Sequence, residues 1–226
     1  MKSITISEAL DQKCPNIVLS VIECDVTIIA PTPPLLLNEI TTISEKIVQN
    51  IETPNINKIP TIAASRKAYK ALGKDPSRYR LSAEALTRRV VKGKGLYSIN
   101  NVVDLINLTS IESGFSIGGY NVAAIKGDIT FDIGGTEQYD AIGRGTLNIQ
   151  FLPVFKDDKS TFGSPTSDST RTMVTNETNR FLMIIISFDG EKELNSTKDL
   201  AIRLIKTYAN GQNFELQTIK INTNNI

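Results

Sequence analysis

"NNVVDLINLTSIESGFSIGGYNVAAIKGDITF", residues 100–131, is where the chain changes its grammar. In its first half Val102, Val103, Ile106 and Ile111, with Ile99 just before, fall on or near one face of a helix. Gly114 ends that helix as a left-handed cap. Upstream, "LNEITTISEKIVQNI" (37–51) and "TIAASRKAYKAL" (61–72) also read as helices, the second closed by Gly73. Ser82 reads as the N-cap of "AEALTRRVV", with Glu84 in its first turn. Downstream, "YNVAAI", "DITFDI", "EQYDAI", "TLNIQFLPVF" and "FLMIIISF" are short, β-rich runs parted by Gly or Asp turns.

One strand or hairpin arm, "NIVLSVIECDVTIIA" (16–30), precedes the helices, and a prolyl stretch, "PTPPLLLN", breaks it. A late helix capped by Gly211 and the strand "FELQTIKI" close the chain. Early helices packed on a later mixed sheet or β-sandwich make an α+β fold, not a doubly wound one. Residues 1–226 form one domain on this reading, with 1–60 supplying its N-terminal strand and helix.

The chain contains no histidine and only two cysteines, Cys14 and Cys24. That excludes a Ser-His-Asp triad, a Cys-His dyad and the usual zinc sets. No G-x-x-x-x-G-K-[ST] or G-x-G-x-x-G phosphate loop is present, and neither a metal nor a cofactor is expected. Chemistry near neutral pH falls to a carboxylate, a lysine, a hydroxyl, backbone dipoles or a positioned water. Both cysteines read as buried apolar residues in a reducing cytoplasm. "MKSITISEALDQKCP" has no signal-peptide core, and the longest apolar run, "FLMIII" (181–186), is too short to span a membrane.

Net charge is +1, but it is unevenly spread. From Arg66 to Lys94 ten basic residues face only Asp75 and Glu84, while the rest of the chain carries 15 basic and 22 acidic groups. Such a segment attracts polyanions, or else is a set of solvated helix faces. Tyr69, Tyr79 and Tyr97 lie among these cations, a mixture that suits single-stranded RNA or a tRNA end, and equally suits helix packing.

The motifs in this region carry a resemblance. They are K-x-x-G-x-D-P-S-x-Y at 70–79, S-x-E-A-L-x-R-R at 82–89 and V-D-x-x-N at 103–107, then Gly114, then Tyr120-Asn121 ahead of "KGDI". In this order they resemble the B3/B4 domain, the tRNA-binding and editing domain of the phenylalanyl-tRNA synthetase β subunit, most strongly over residues 62–190. The resemblance implies helices against a β-sandwich of unusual topology. It implies a pocket between the V-D-x-x-N helix, the loop after it and later strands. Ile106 stands where the synthetase has threonine, Ser116 where it has proline, and Gly118 where it has histidine; Tyr120-Asn121 replace Phe-Asp. Two parts of the synthetase pocket are therefore missing, which counts against the synthetase's own substrate here. Glu137, in "GGTEQY", falls where the family has a glutamate.

On that resemblance Asn107 and Asp104 are the candidate catalytic residues, though Asp104 equally reads as a brace for a loop. Gly114, Gly118, Gly119, Tyr120, Asn121 and Glu137 would hold the substrate, the glycines by positive φ and close backbone approach. Arg66, Lys70, Arg78, Arg80, Arg88 and Arg89 would hold tRNA phosphates. "GSPTSDSTRTMVT" (163–175), with Asp168 and Arg171, reads as a pocket lining, a phosphate site or an ordinary loop. Three functions stay open: hydrolysis of mischarged aminoacyl-tRNA in trans, RNA binding without catalysis, and binding of an amino acid. The expected partner is tRNA or aminoacyl-tRNA, not DNA and not a membrane. The chain has no room for an aminoacyl-tRNA ligase.

Overall fold

The computed structural model describes residues 1–221. In chain order the elements are β1 (Ile4–Ile6), α1 (Glu8–Lys13), β2 (Val18–Asp25), α2 (Pro34–Asn50), α3 (Pro60–Ala71), α4 (Ser82–Val91), α5 (Asn101–Ser113) and β3 (Ser116–Asn121). There follow β4 (Ile129–Ile133), β5 (Asp140–Ala141), β6 (Gly145–Thr146), β7 (Pro153–Lys156), β8 (Thr161–Gly163), β9 (Arg180–Ser187), α6 (Leu194–Ala209) and β10 (Gln212–Ile219).

The β-branched runs of β2 and β9 pair antiparallel along their full lengths, Val18 opposite Ser187 and Asp25 opposite Arg180. They are the centre of an antiparallel sheet ordered β10-β2-β9-β3. A second sheet, β1-β4-β7-β8, is antiparallel except where β1 runs parallel to β4. Both faces of β2 and β9 are buried, which is why they lack the in-out alternation of a half-exposed strand. One face, with Ile22, Cys24, Met183 and Ile185, packs against Leu36 and Ile40 of α2, Leu105 and Leu108 of α5, and Leu204 and Ile205 of α6. The other, with Leu19, Val21, Leu182 and Ile184, meets Ile129, Phe131, Phe155 and Phe162 of the second sheet. The fold is α+β: helices, a first sheet, then a second sheet.

Some local expectations are corrected. Ser82 is the first helical residue and Leu81 the cap position; the Ser82 N–H is taken by the Pro165 carbonyl. Asn210, not Gly211, adopts the left-handed conformation that ends α6. "EQYDAI" shrinks to the two-residue β5. Val122–Ala124 is a 3-10 turn and not part of a strand. The two cysteines are free and buried in opposite layers, Cys24 on the helical side and Cys14 between the sheets.

Candidate functional site

The N-terminal end of α5 is a polar knot. Asn100 caps the helix by accepting from the Val103 N–H at 2.9 Å. The Asn101 side chain accepts from Ile29 N–H and donates to the Thr27 and Tyr208 carbonyls. Asp104 is fully buried. It accepts from the Thr32 hydroxyl at 2.6 Å and from the Ile99 N–H at 3.1 Å. Burial raises its pKa, and these bonds oppose the rise. Asp104 thus ties residues 98–99 to the prolyl loop, out of reach of a substrate. Asn107, one turn on, is half-buried, and its amide makes no hydrogen bond among the described residues.

The glycines do a different task from the one expected. Gly114 has φ 74 and caps α5 against Thr61. Gly118 and Gly119 instead lie in β3, outside the positive-φ region. A Cβ on Gly119 would collide with Ile106 of α5, and one on Gly118 with the Tyr120 ring. The space beside each is filled by protein, not held open for a ligand. Asn121 caps the 3-10 turn after β3 through the Ala123 N–H. Glu137 is exposed and accepts from the Thr161 hydroxyl of β8 at 2.7 Å. Burial alone would raise its pKa, but Thr161 and nearby backbone hold it below the usual range. These residues do not line one pocket. Asn107 sits on α5, which packs on the helical face of the first sheet, whereas Tyr120 lies between the sheets.

What the fold does bring together is Tyr120 and the hydroxyl-rich 163–169 loop. The fully buried Tyr120 ring threads between Gly118 of β3 and Gly163 of β8, with Phe162 edge-on at 5.0 Å. Its hydroxyl donates to Asp168 Oδ1 at 2.8 Å. Around this bond Tyr139 donates to the Ser167 carbonyl at 2.8 Å, and the Tyr69 and Thr166 hydroxyls meet at 2.9 Å. Part of Asp168 reaches the surface, but the carboxyl is packed round by protein. Burial pushes its pKa up to about 7, against the opposing bonds from Tyr120 and the Gly119 and Ser164 backbone. Among the described residues Asp168 has no ion-pair partner. Arg171, three residues on, is committed elsewhere: it pairs with both oxygens of Asp157 and donates to the Ala124 and Ser160 carbonyls. That commitment replaces the phosphate role read from its loop. A carboxylate near neutrality, held in place by a phenol, can take and return a proton at physiological pH.

Replacing Gly163 with alanine is expected to cost about 1 to 3 kcal/mol, because the new methyl overlaps a ring with no free direction to move. Thermal melting checks this; an unchanged midpoint would show that the slot is loose.

The basic segment is less free than its count suggests. Glu84, 1% exposed, is a hub for three arginines: Arg66 at 2.7 Å, Arg88 at 2.9 Å and Arg80 at 3.8 Å. Arg66 also donates to the Pro76 carbonyl, and Arg88 to that of Thr53. Arg89 lies over the Tyr97 ring at 3.9 Å. Lys74 is buried, donating to the Asn148 and Gln150 carbonyls; burial, then Arg78, lowers its pKa. Lys67, Lys70, Arg78, Arg80, Lys92 and Lys94 are exposed. Of the six expected phosphate contacts, Lys70 and Arg78 are exposed and form no ion pair among the described residues, Arg80 is exposed but lies 3.8 Å from Glu84, and Arg66, Arg88 and Arg89 are structural partners of Glu84 and Tyr97.

The clefts in the surface of the described residues include two that are well formed. One of about 560 Å³ lies between β2 and the end of α6, and one of about 470 Å³ between α1 and α3. Neither is lined by Asn107, Tyr120 or Asp168. No helix of the described residues is long and apolar enough to cross a membrane.

No curated protein matches this chain. Among solved structures it is similar to an N-terminal fragment of the phenylalanyl-tRNA synthetase β subunit from Pyrococcus horikoshii, at 14% identity and a TM-score of 0.48. That likeness covers 93% of this chain and 49% of the other, so this chain spans about half its length. Residues 64–212, well over half of the chain, match the family model described as the B3/4 domain. With its helices, its two four-stranded sheets and this match, the chain belongs to the B3/4 domain family.

Proposed function

We propose that this protein binds tRNA and hydrolyses the ester of a mischarged aminoacyl-tRNA, with Asp168 as the general base. The observation that carries the reading is the Asp168 carboxyl, enclosed by protein in a residue that partly reaches the surface, with a pKa near 7 and a bond from Tyr120. Family membership and the motifs shared with a tRNA-synthetase domain favour tRNA as the partner. In the reaction Asp168 takes a proton from a water, and the water oxygen adds to the ester carbonyl. The tetrahedral adduct collapses, the ribose–oxygen bond to the acyl carbon breaks, and the proton passes from Asp168 to the leaving ribose oxygen. Tyr120 fixes the carboxyl's orientation without itself ionising, since burial raises its pKa far above neutrality.

A second reading, RNA binding without catalysis, is favoured by Ile106 and Gly118, which stand where the synthetase pocket has threonine and histidine. Deacylation assays across a panel of mischarged tRNAs separate the two. Binding has its own test. The triple change Lys70→Ala, Arg78→Ala, Arg80→Ala removes three exposed cations. Each phosphate contact contributes roughly 0.7 to 0.9 to the slope of log affinity against log salt, so the slope should flatten by about 2. An unchanged slope would place the tRNA elsewhere.

A further inference from the structure

Tyr97 is an exposed aromatic that the fold presents outward. Gly93 and Gly95 both have left-handed φ, 71° and 60°, and no atom within 4 Å of where a Cβ would stand. Their backbone conformation, not crowding, requires glycine there. Bonds from Gly93 N–H to the Val90 carbonyl and from Lys94 N–H to that of Arg89 close α4. Beyond them Leu96 turns in to the core, and the Tyr97 ring comes to lie on the Arg89 guanidinium at 3.9 Å. The side chain is nevertheless 55% exposed, and Ile99, two residues on, is 56% exposed.

Along the chain, the charge on either side of it has one sign. Between Glu84 and Asp104 the chain holds no acid, and both of those carboxylates are buried. Lys92 and Lys94 are exposed and form no ion pair among the described residues. Arg89 Nε is buried without a hydrogen-bond partner, so this guanidinium is held by the ring and not by a carboxylate. A polyanion satisfies the lysines but gives no use to a bare ring. A ring stacked on arginine, open to solvent and flanked by lysines suits a single nucleic-acid strand, whose base stacks on the ring while its phosphates meet the cations.

We infer that Tyr97, backed by Arg89, is a stacking platform for an unpaired nucleobase of the bound RNA, with Lys92 and Lys94 on the adjoining phosphates. The inference rests on the tRNA-binding reading but uses none of the Asp168 chemistry. Because the chain has no tryptophan, Tyr97→Trp supplies a sole indole at the platform, excited selectively to the red of the five remaining tyrosines. Single-stranded oligoadenylate should quench its emission, and inorganic polyphosphate should bind without quenching. Tyr97→Ala should bind oligoadenylate about 5- to 150-fold more weakly, the loss of one base–aromatic stack, while Tyr97→Phe stays within about twofold. Equal quenching by polyphosphate, or wild-type affinity in Tyr97→Ala, overturns the platform. If that variant binds normally while the wild type still deacylates mischarged tRNA, the platform falls and the Asp168 reading stands. No oligonucleotide binding by the wild type overturns the platform together with the tRNA reading.

Discussion

Asp168→Asn is expected to slow hydrolysis of a mischarged aminoacyl-tRNA about a hundredfold to ten-thousandfold, the range that a positioned general base contributes. The amide keeps the size of the carboxyl and can still accept from Tyr120, so the loop should stay on β3. Affinity for tRNA should move less than twofold, because the exposed cations are untouched. The same variant carries a stability signature. Burial raises the folded pKa of Asp168 to about 7, above the roughly 3.9 of an unfolded aspartate. Between those values the native state binds a proton that the unfolded chain does not. This contribution to stability is therefore full below about pH 4 and is lost as pH rises through 7. Wild-type melting should decline across that window by more than Asp168→Asn melting does. Parallel curves would mean that the carboxyl is not held near neutrality.

The second large effect concerns folding. Arg66→Ala together with Arg88→Ala is expected to cost about 3 to 5 kcal/mol, because Glu84 stays buried with only the distant Arg80 beside it. For a domain of this size that is a fall of roughly 6 to 20 °C in melting temperature. Lys70→Ala with Arg78→Ala, both exposed, should change stability by about 0.5 kcal/mol or less. Similar melting of the two double variants would refute the hub. The contrast matters for RNA work, since weaker binding by an Arg88 variant would report unfolding and not a lost phosphate contact.

The order of helices before strands was legible because period and cap chemistry are local. Val102, Val103, Ile106 and Ile111 of α5, with Gly114 at its end, could be read within a 13-residue window. The place of β2 could not, because it pairs with β9 more than 150 residues away and with β10 beyond that. The same distance hid the site. Tyr120 was read as a substrate-holding residue where the synthetase has phenylalanine, and its slot exists only because Gly163, 43 residues later, lies opposite Gly118. Asp168 was visible only as an acid in a polar loop; its raised pKa comes from enclosure, which spacing does not encode. Charge counting erred the other way. Ten basic residues in one segment looked like one surface, yet Arg66 and Arg88 turn inward to a glutamate on their own side of the fold. Their one visible sign was Glu84 four residues before Arg88, at helical pairing distance.

The most direct test of the account is the rate of deacylation by the wild-type protein as a function of pH, under single-turnover conditions on a mischarged tRNA. The account expects hydrolysis that rises with pH through a single ionisation near 7, as the Asp168 carboxyl loses its proton, and expects that limb to vanish in Asp168→Asn. A rate that is unchanged in Asp168→Asn, or a wild type that hydrolyses no member of a full panel of mischarged tRNAs, would contradict it.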